Sequence, residues 1–460
     1  MLCDAKGPNT GAIISLNALG KQDRYLLTDE PEHSLFKYKI NKHSNFSKYH
    51  RNTTVQKPTI TNNTSWPFGE TIKITMNPRN MGDLLSNMYI MLDLPGVSSG
   101  SYNYADQIGR HLFKSITMRV DELVIEKYHD DWGIIYDNLY LDESEKRTKR
   151  YTLNRNLAEN TSVPEIGGNG NKAIAQYKSK VFVPIPLLFS RKYESDEYYT
   201  NKPNRPYFPT CAMHKQKLEF EIEFNPQTFF TDDPNPIPIN SFDIITEEIT
   251  VSKNERIYLM NEPQILVTDI VKKHPTEDSE IGKDLMKIQL VPEIPVKTIY
   301  WFLRDKRYED KENARGGDGD PNNNDDNRTY LFHNRYNFSK TNLWTVQNAF
   351  FNPIMKEAKL FFNGEDLPNI PTIKHEYYKY VVPFTHRLSR PERNIYSYSF
   401  SMNPINVEPS GSLDFGQLQS NKTLMEIKLI PNLTDVYVFN AYYVGYQTFK
   451  FENGYISLAY

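Results

Sequence analysis

The chain has 460 residues, enough to bury two hydrophobic cores, and a formal net charge of −3 from 54 Lys and Arg against 57 Asp and Glu. That even balance argues against an electrostatic grip on nucleic-acid phosphates, so no direct nucleic-acid partner is expected. Two cysteines, Cys3 and Cys211, cannot staple a fold of this size, and with no apolar leader they predict folding in a reducing compartment.

The 31 Tyr and 25 Phe, with Pro (29) outnumbering Gly (21), favour sheets over long helices. In chain order, "ETIKITM" (70–76) sets Ile72, Ile74 and Met76 against Thr71, Lys73 and Thr75, the period of a half-buried strand. "NMYIMLDLPG" and "SITMRVDELVIEKY" follow as further strands. His129, Asp130 and Asp131 form the most acid–base-like cluster, but neighbouring carboxylates on a strand point to opposite faces, so a turn or strand end is expected. "EKRTKRY", with Lys146, Arg147, Lys149 and Arg150, reads as a solvated loop or hairpin end. "GGNGNK" (167–172) lacks the spacing of a phosphate loop. "VFVPIPLLF" (181–189) is too short to span a bilayer.

"LEFEIEF" buries Leu218, Phe220, Ile222 and Phe224 on one face and shows Glu219, Glu221 and Glu223 on the other. Four such side chains contribute about 6–12 kcal/mol, while fixing seven residues of backbone costs about 7–14 kcal/mol. One strand is near balance, and stability requires two sheets packed face to face. The pattern lapses at "SKNERIYLMNEPQ" (252–264), which marks a boundary, and the same order of elements then recurs: "MKIQLV", "TIYWFLRD", "EAKLFFNGEDL", "IYSYSFSMNP", "TLMEIKLIP" and "VYVFNAYYVGYQTFKF". The inserts 152–180 and 305–328 lengthen one copy each, as exposed connections tolerate. "GGDGDPNNNDDN" (316–327) offers Asp318, Asp320, Asn322 and Asn324 at alternate positions, but Asn323 and Thr329 stand where a calcium loop needs Gly and Glu. No zinc spacing or nucleophile elbow is present, so neither cofactor nor catalysis is expected. The sequons at Asn52, Asn63, Asn160 and Asn432 are those expected by chance in so Asn-rich a chain.

"GAIISLNALGKQDRYLLTDEPEHSLFKYKINKHSNFS" (11–47) resembles the opening of the major capsid proteins of nucleocytoplasmic large DNA viruses, which carry "G-x-Q-D-x-Y-L" and then "H-T-N-F". Gly20, Gln22, Asp23, Tyr25 and Leu26 fit the first, and His43, Asn45 and Phe46 the second, with Ser44 in place of threonine. Arg79, Gly82, Asp83 and Leu84 resemble the family's "R-x-G-D-L" turn with one extra residue, and Glu255 and Arg256 its "E-R" pair. Pro295, Val296, Lys297 and Trp301 fit "H-P-V-K-E-L-x-W", while "FFNGEDL" has Leu367 where arginine is common. Tyr396, Tyr398, Ser399, Phe400, Pro404, Pro409, Ser410, Gly411 and Phe415 match "I-Y-x-Y-S-F-A-L-x-P-E-x-x-Q-P-S-G-x-x-N-F-S", with Glu408 and Asp414 as departures. Pro409 fixes its φ, Ser410 can bond nearby backbone and Gly411 permits a positive φ, the ingredients of a rigid turn.

The resemblance implies an all-β fold of two tandem eight-stranded jelly rolls: an arm over 1–30, a first sandwich over 31–254 and a second over 265–460. It implies a capsomer trimer tiling an icosahedral capsid in the virion, assembled in the host cytoplasm, with an aromatic-rich surface for the contacts. The arm would meet minor capsid proteins near an internal membrane. A β-sandwich carbohydrate-binding module and a minor capsid protein are the alternatives.

Overall fold

The computed structural model describes residues 44–98, 104–105, 107–153, 179–193, 206–231, 233–309, 335–340, 352–363, 365–367, 373–406, 408–418, 420–430 and 434–459. Gln22, Asp23 and Tyr25, the arm, the Asp318–Asn324 run and most of both inserts lie outside these residues.

The first half contributes β1 (Phe46–Gln56), β2 (Thr71–Met76), β3 (Leu84–Leu94), β4 (Phe113–Val120), β5 (Leu123–His129), β6 (Ser179–Pro184), β7 (Leu218–Phe224) and β8 (Ser241–Val251). They form two antiparallel four-stranded sheets, ordered β1-β8-β3-β6 and β2-β7-β4-β5. The second half contributes β9 (Gln264–Lys273), β10 (Glu277–Asp278), β11 (Leu285–Gln289), β12 (Val296–Asp305), β13 (Met355–Phe362), β14 (Glu365–Leu367), β15 (Tyr396–Ser399), β16 (Leu424–Leu429), β17 (Tyr437–Glu452) and β18 (Tyr455–Leu458). Its sheets run β9-β17-β12-β15 and β11-β16-β13-β14, with the short β10 and β18 added to the long β17. Each half thus orders its eight main strands 1-8-3-6 over 2-7-4-5, the double jelly roll that the resemblance implied.

Alternation places the core where the sequence indicated. Leu218, Phe220, Ile222 and Phe224 are buried along β7, Met425, Ile427 and Leu429 along β16, and Ile74 and Met76 on β2. The expectation of two separate cores is corrected: one continuous apolar cluster runs through both sandwiches, with a small satellite around Leu84 and Cys211. The reason is β12, which is buried at every position because both its faces are covered.

Three helices fill places where the strand pattern stops. "EKRTKRY" is no loop but part of α2 (Glu143–Leu153), which follows α1 (Asp130–Leu139). Asp142 and Glu145 close its start reciprocally, each accepting the other's backbone N–H, at 2.9 and 2.8 Å. Lys146 is buried and donates to the Arg390 carbonyl, 2.9 Å away. The lapse at 252–264 is α3 (Lys253–Asn261), capped by Ser252. Among the described residues the aromatic side chains are mostly interior rather than on the surface, with Tyr128, Tyr300, Tyr336, Tyr378, Tyr396, Tyr437 and Tyr442 among the largest fully buried groups.

Candidate functional site

The motif residues of the second sandwich converge at the start of β12. Its pairing with β17 slips between Val296 and Thr298, leaving Lys297 as the extra residue of a bulge. A bulge re-aims a side chain, and here Lys297 Nζ lies 2.8 Å from Asp269 Oδ2 on β9, 2.7 Å from the Asn406 carbonyl and 5.2 Å from the centre of the Tyr446 ring. Gly445 stands opposite, where any Cβ would collide with the Pro295 carbonyl. Lys297 and Asp269 are both buried. Burial pushes the Asp269 carboxyl upward, and Lys297 and then Arg191 pull it back.

The loop after β15 is tied to the same point. Phe400 N–H donates to the Lys297 carbonyl (2.9 Å), and Val296 and Leu413 exchange backbone bonds of 2.8 Å. Ser410 N–H donates to the Tyr446 hydroxyl at 3.0 Å. The Ser410 hydroxyl donates to the Asn403 carbonyl (3.0 Å) and accepts from Asn403 N–H (3.1 Å), with Ser401 Oγ at 2.5 Å. Gly411 has φ +126°, and a Cβ there would stand 3.0 Å from the Phe400 carbonyl. Pro409 is exposed beside this turn. Below it Phe400 packs on Tyr398, Phe362 and Phe415, and Trp301 on Tyr378 and Tyr396.

From Asp269 the polar network crosses to the first sandwich. Arg191 bonds the Asp269 carbonyl and, at 2.5 Å, the Glu126 carboxylate, which also accepts Leu188 N–H (2.6 Å) and Val271 N–H (3.0 Å). Of the turn or strand end expected at His129, the strand end holds: β5 stops at His129, and Asp130 and Asp131 open α1, buried against the second sandwich. Asp130 meets Arg335 at 2.6 Å, Asp131 bonds Arg304, and Tyr140 and Tyr300 hydroxyls lie 3.1 Å apart. Burial opposes the charge of Asp131, yet Arg304 and Arg335 outweigh it and hold that carboxyl below its usual range; for Asp130 burial wins and the shift is upward. The partners lie 205 and 173 positions away, too far for motif spacing to connect them.

Gly82 and Asp83 make their contacts with β8 and α3. Asp83 accepts Val251 N–H (3.0 Å) and pairs with Arg256 (3.1 Å), joining the turn to the "E-R" helix, while Gly82 N–H donates to Glu248 at 2.6 Å. Here too β3 slips against β8, with Ser86 the extra residue.

Each ion pair of the cluster is buried and closed off from solvent, an arrangement that holds geometry, although Asp269 Oδ1, Asp131 Oδ2 and Arg304 Nε are left without hydrogen-bond partners. A cleft of about 490 Å³ lies between β5 and the β9–β10 bend, lined by Lys127, His129, Lys272, Lys273 and His274 among others. Burial, then Lys273 and Lys127, push His129 down to about 3. Among the described residues no group of three His, Cys, Asp or Glu could hold a metal, and no helix is long and apolar enough to cross a membrane.

Comparison with known proteins agrees with this architecture. Residues 34–253 match the family model described as the major capsid protein N-terminus, and residues 247–451 match the large eukaryotic DNA virus major capsid protein. The major capsid protein of Phaeocystis pouchetii virus is 22% identical across 98% of this chain and 99% of its own length. An alignment of 141 positions, covering 28% of this chain and 25% of its counterpart, is 30% identical to probable capsid protein 4 of Acanthamoeba polyphaga mimivirus. A quasi-atomic model of the PBCV-1 virus capsid shares the fold with TM-score 0.68 and 15% identity, over 93% of this chain and 100% of that one. The two family matches together span residues 34–451, and the chain belongs to the major capsid proteins of large eukaryotic DNA viruses, structural proteins of the virion shell rather than enzymes.

Proposed function

We propose that three copies of this chain close into a capsomer of six-fold outline, each supplying two similar lobes, and that such capsomers tile an icosahedral shell. The observation that carries this reading is the repetition of one strand order in both halves, joined by a buried polar seam. Two similar lobes held at one angle can alternate around a three-fold axis in a heterologous ring that closes. Obligate contacts of this kind bury roughly 2,000–5,000 Å².

The units assigned are an arm over 1–30, a first jelly roll over 31–254 and a second over 265–460. The arm faces inward, toward minor capsid proteins and an internal membrane, and the inserts 152–180 and 305–328 rise outside. Assembly takes place in the host cytoplasm. Gly82, Asp83, Pro295, Lys297, Trp301, Tyr398, Phe400, Pro409, Ser410 and Gly411 serve shape: they fix where strands start and how the loop after β15 lies. Light scattering on the purified protein tests the trimer. Three chains of 53.8 kDa give a particle of about 161 kDa, and a stable species of one chain at all concentrations contradicts the proposal.

A further inference from the structure

A surface fully buried in one repeat and only half-buried in the other points to a contact made outside the single chain. The bulges at Ser86 and Lys297 align the two repeats. Counted from them, Asn87, Tyr89, Met91 and Asp93 of β3 correspond to Thr298, Tyr300, Phe302 and Arg304 of β12. The outer face of β12 is closed, with Tyr300 and Arg304 0% exposed beneath Trp132, Tyr140 and Asp131 of the β5–β6 connection. The outer face of β3 is less covered: all four residues are half-buried, flanked by Ile245 of β8 and by Phe182 of β6, which is 39% exposed.

The covering element also has a counterpart. In the second sandwich the β14–β15 connection is helical over residues 375–385. It carries Val381 and Phe384 outward, and Phe384 is 86% exposed. His386 Nδ1 lies 3.1 Å from the Met402 carbonyl, which brings the equally exposed Met402 to the same patch. Charge is reversed on both partners at once. Within the chain an acidic element, Asp131, meets Arg304; on the half-buried face Asp93 takes the place of Arg304, and the uncovered segment ends in the exposed Arg387 and Arg390.

We propose that residues 381–387 of one copy dock on the outer β3–β8 face of the next, repeating between chains the contact that α1 makes within one. The proposal rests on the trimer reading above and names its surfaces. Donor and receiver lie on different sandwiches, so the contact is head-to-tail, and intrachain and interchain versions alternate around the ring. The reversed charges keep the two versions from exchanging, because Arg387 would be repelled by Arg304.

The test compares native chain with Phe384→Asp, Ile245→Lys and, as an exposed apolar control in the second sandwich, Ile281→Asp (68% exposed). Light scattering is expected to give three-chain particles for native protein and control, and a threefold lower mass for the other two with an unchanged circular dichroism spectrum. Charge reversal gives a second readout that folding defects do not imitate: Arg387→Glu and Asp93→Arg each weaken association at least tenfold, and the combined variant recovers it. A monomeric native protein would overturn the trimer reading itself. A trimeric native protein whose Phe384→Asp and Ile245→Lys variants stay trimeric, or whose charge-reversed pair shows no recovery, overturns this inference alone.

Discussion

Lys297 and Asp269 face each other across 2.8 Å with both side chains buried, one on the bulge of β12 and the other on β9. Around this pair the loop after β15, Tyr446 and Arg191 from the first sandwich are all anchored. Removing one partner of a buried pair leaves an uncompensated charge, at a cost of about 3–5 kcal/mol. Lys297→Met and Asp269→Leu should each cost that much in urea unfolding, and the two combined clearly less than their sum. Strict additivity in the double-mutant cycle contradicts the pairing.

The apolar cluster runs through both halves, so the two sandwiches should unfold as one cooperative unit. Circular dichroism and aromatic fluorescence should report a single coincident unfolding transition. Arg304→Met, which strands the buried Asp131, should lower its midpoint, with about 3–5 kcal/mol lost. Two resolved transitions in the native protein would mean that the sandwiches melt independently.

Gly445 faces the bulge with no room for a methyl group against the Pro295 carbonyl. Gly445→Ala should cost about 1–3 kcal/mol as an overpacked site. Gly282 has φ +82° but nothing within 4 Å of an added Cβ, so Gly282→Ala should cost about 1 kcal/mol from backbone strain alone. Equal melting points for the two variants would show that the bulge yields freely.

How far the sequence reached follows from what each feature depends on. The alternation of Leu218–Phe224 and Met425–Leu429 is local, so those strands and their buried faces were legible, as was the Ser410–Gly411 turn, whose residue types announce it. The start of α2 was also written locally, in Asp142 and Glu145, but the run of cations that follows masked it. Asp130 and Asp131 gave no signal of their fate, because Arg335 and Arg304 reach them only after the sandwiches dock. "TIYWFLRD" did carry a clue: it is apolar at both parities, the mark of a strand covered on two faces.

The neutral His129 gives stability a pH dependence with a definite sign. Its folded value, about 3, lies below the unfolded 6.5, so between these the unfolded chain binds a proton that the folded chain refuses. Its contribution is complete above pH 6.5 and falls as pH drops toward 3. Asp269, Glu126 and Asp130, raised by burial, act in the opposite sense, adding stability below the usual carboxylate range and losing it as pH rises through their folded values. His129→Asn should therefore flatten the loss of melting temperature between pH 7 and pH 5. An unchanged slope contradicts the burial of an uncharged imidazole.

Electron cryomicroscopy of the purified particle tests the central claim most directly. The expected map shows three chains around a three-fold axis, six similar lobes in outline, and Phe384 of each chain against the β3–β8 face of its neighbour. A map of isolated single chains, or of pairs related by a two-fold axis, would contradict it.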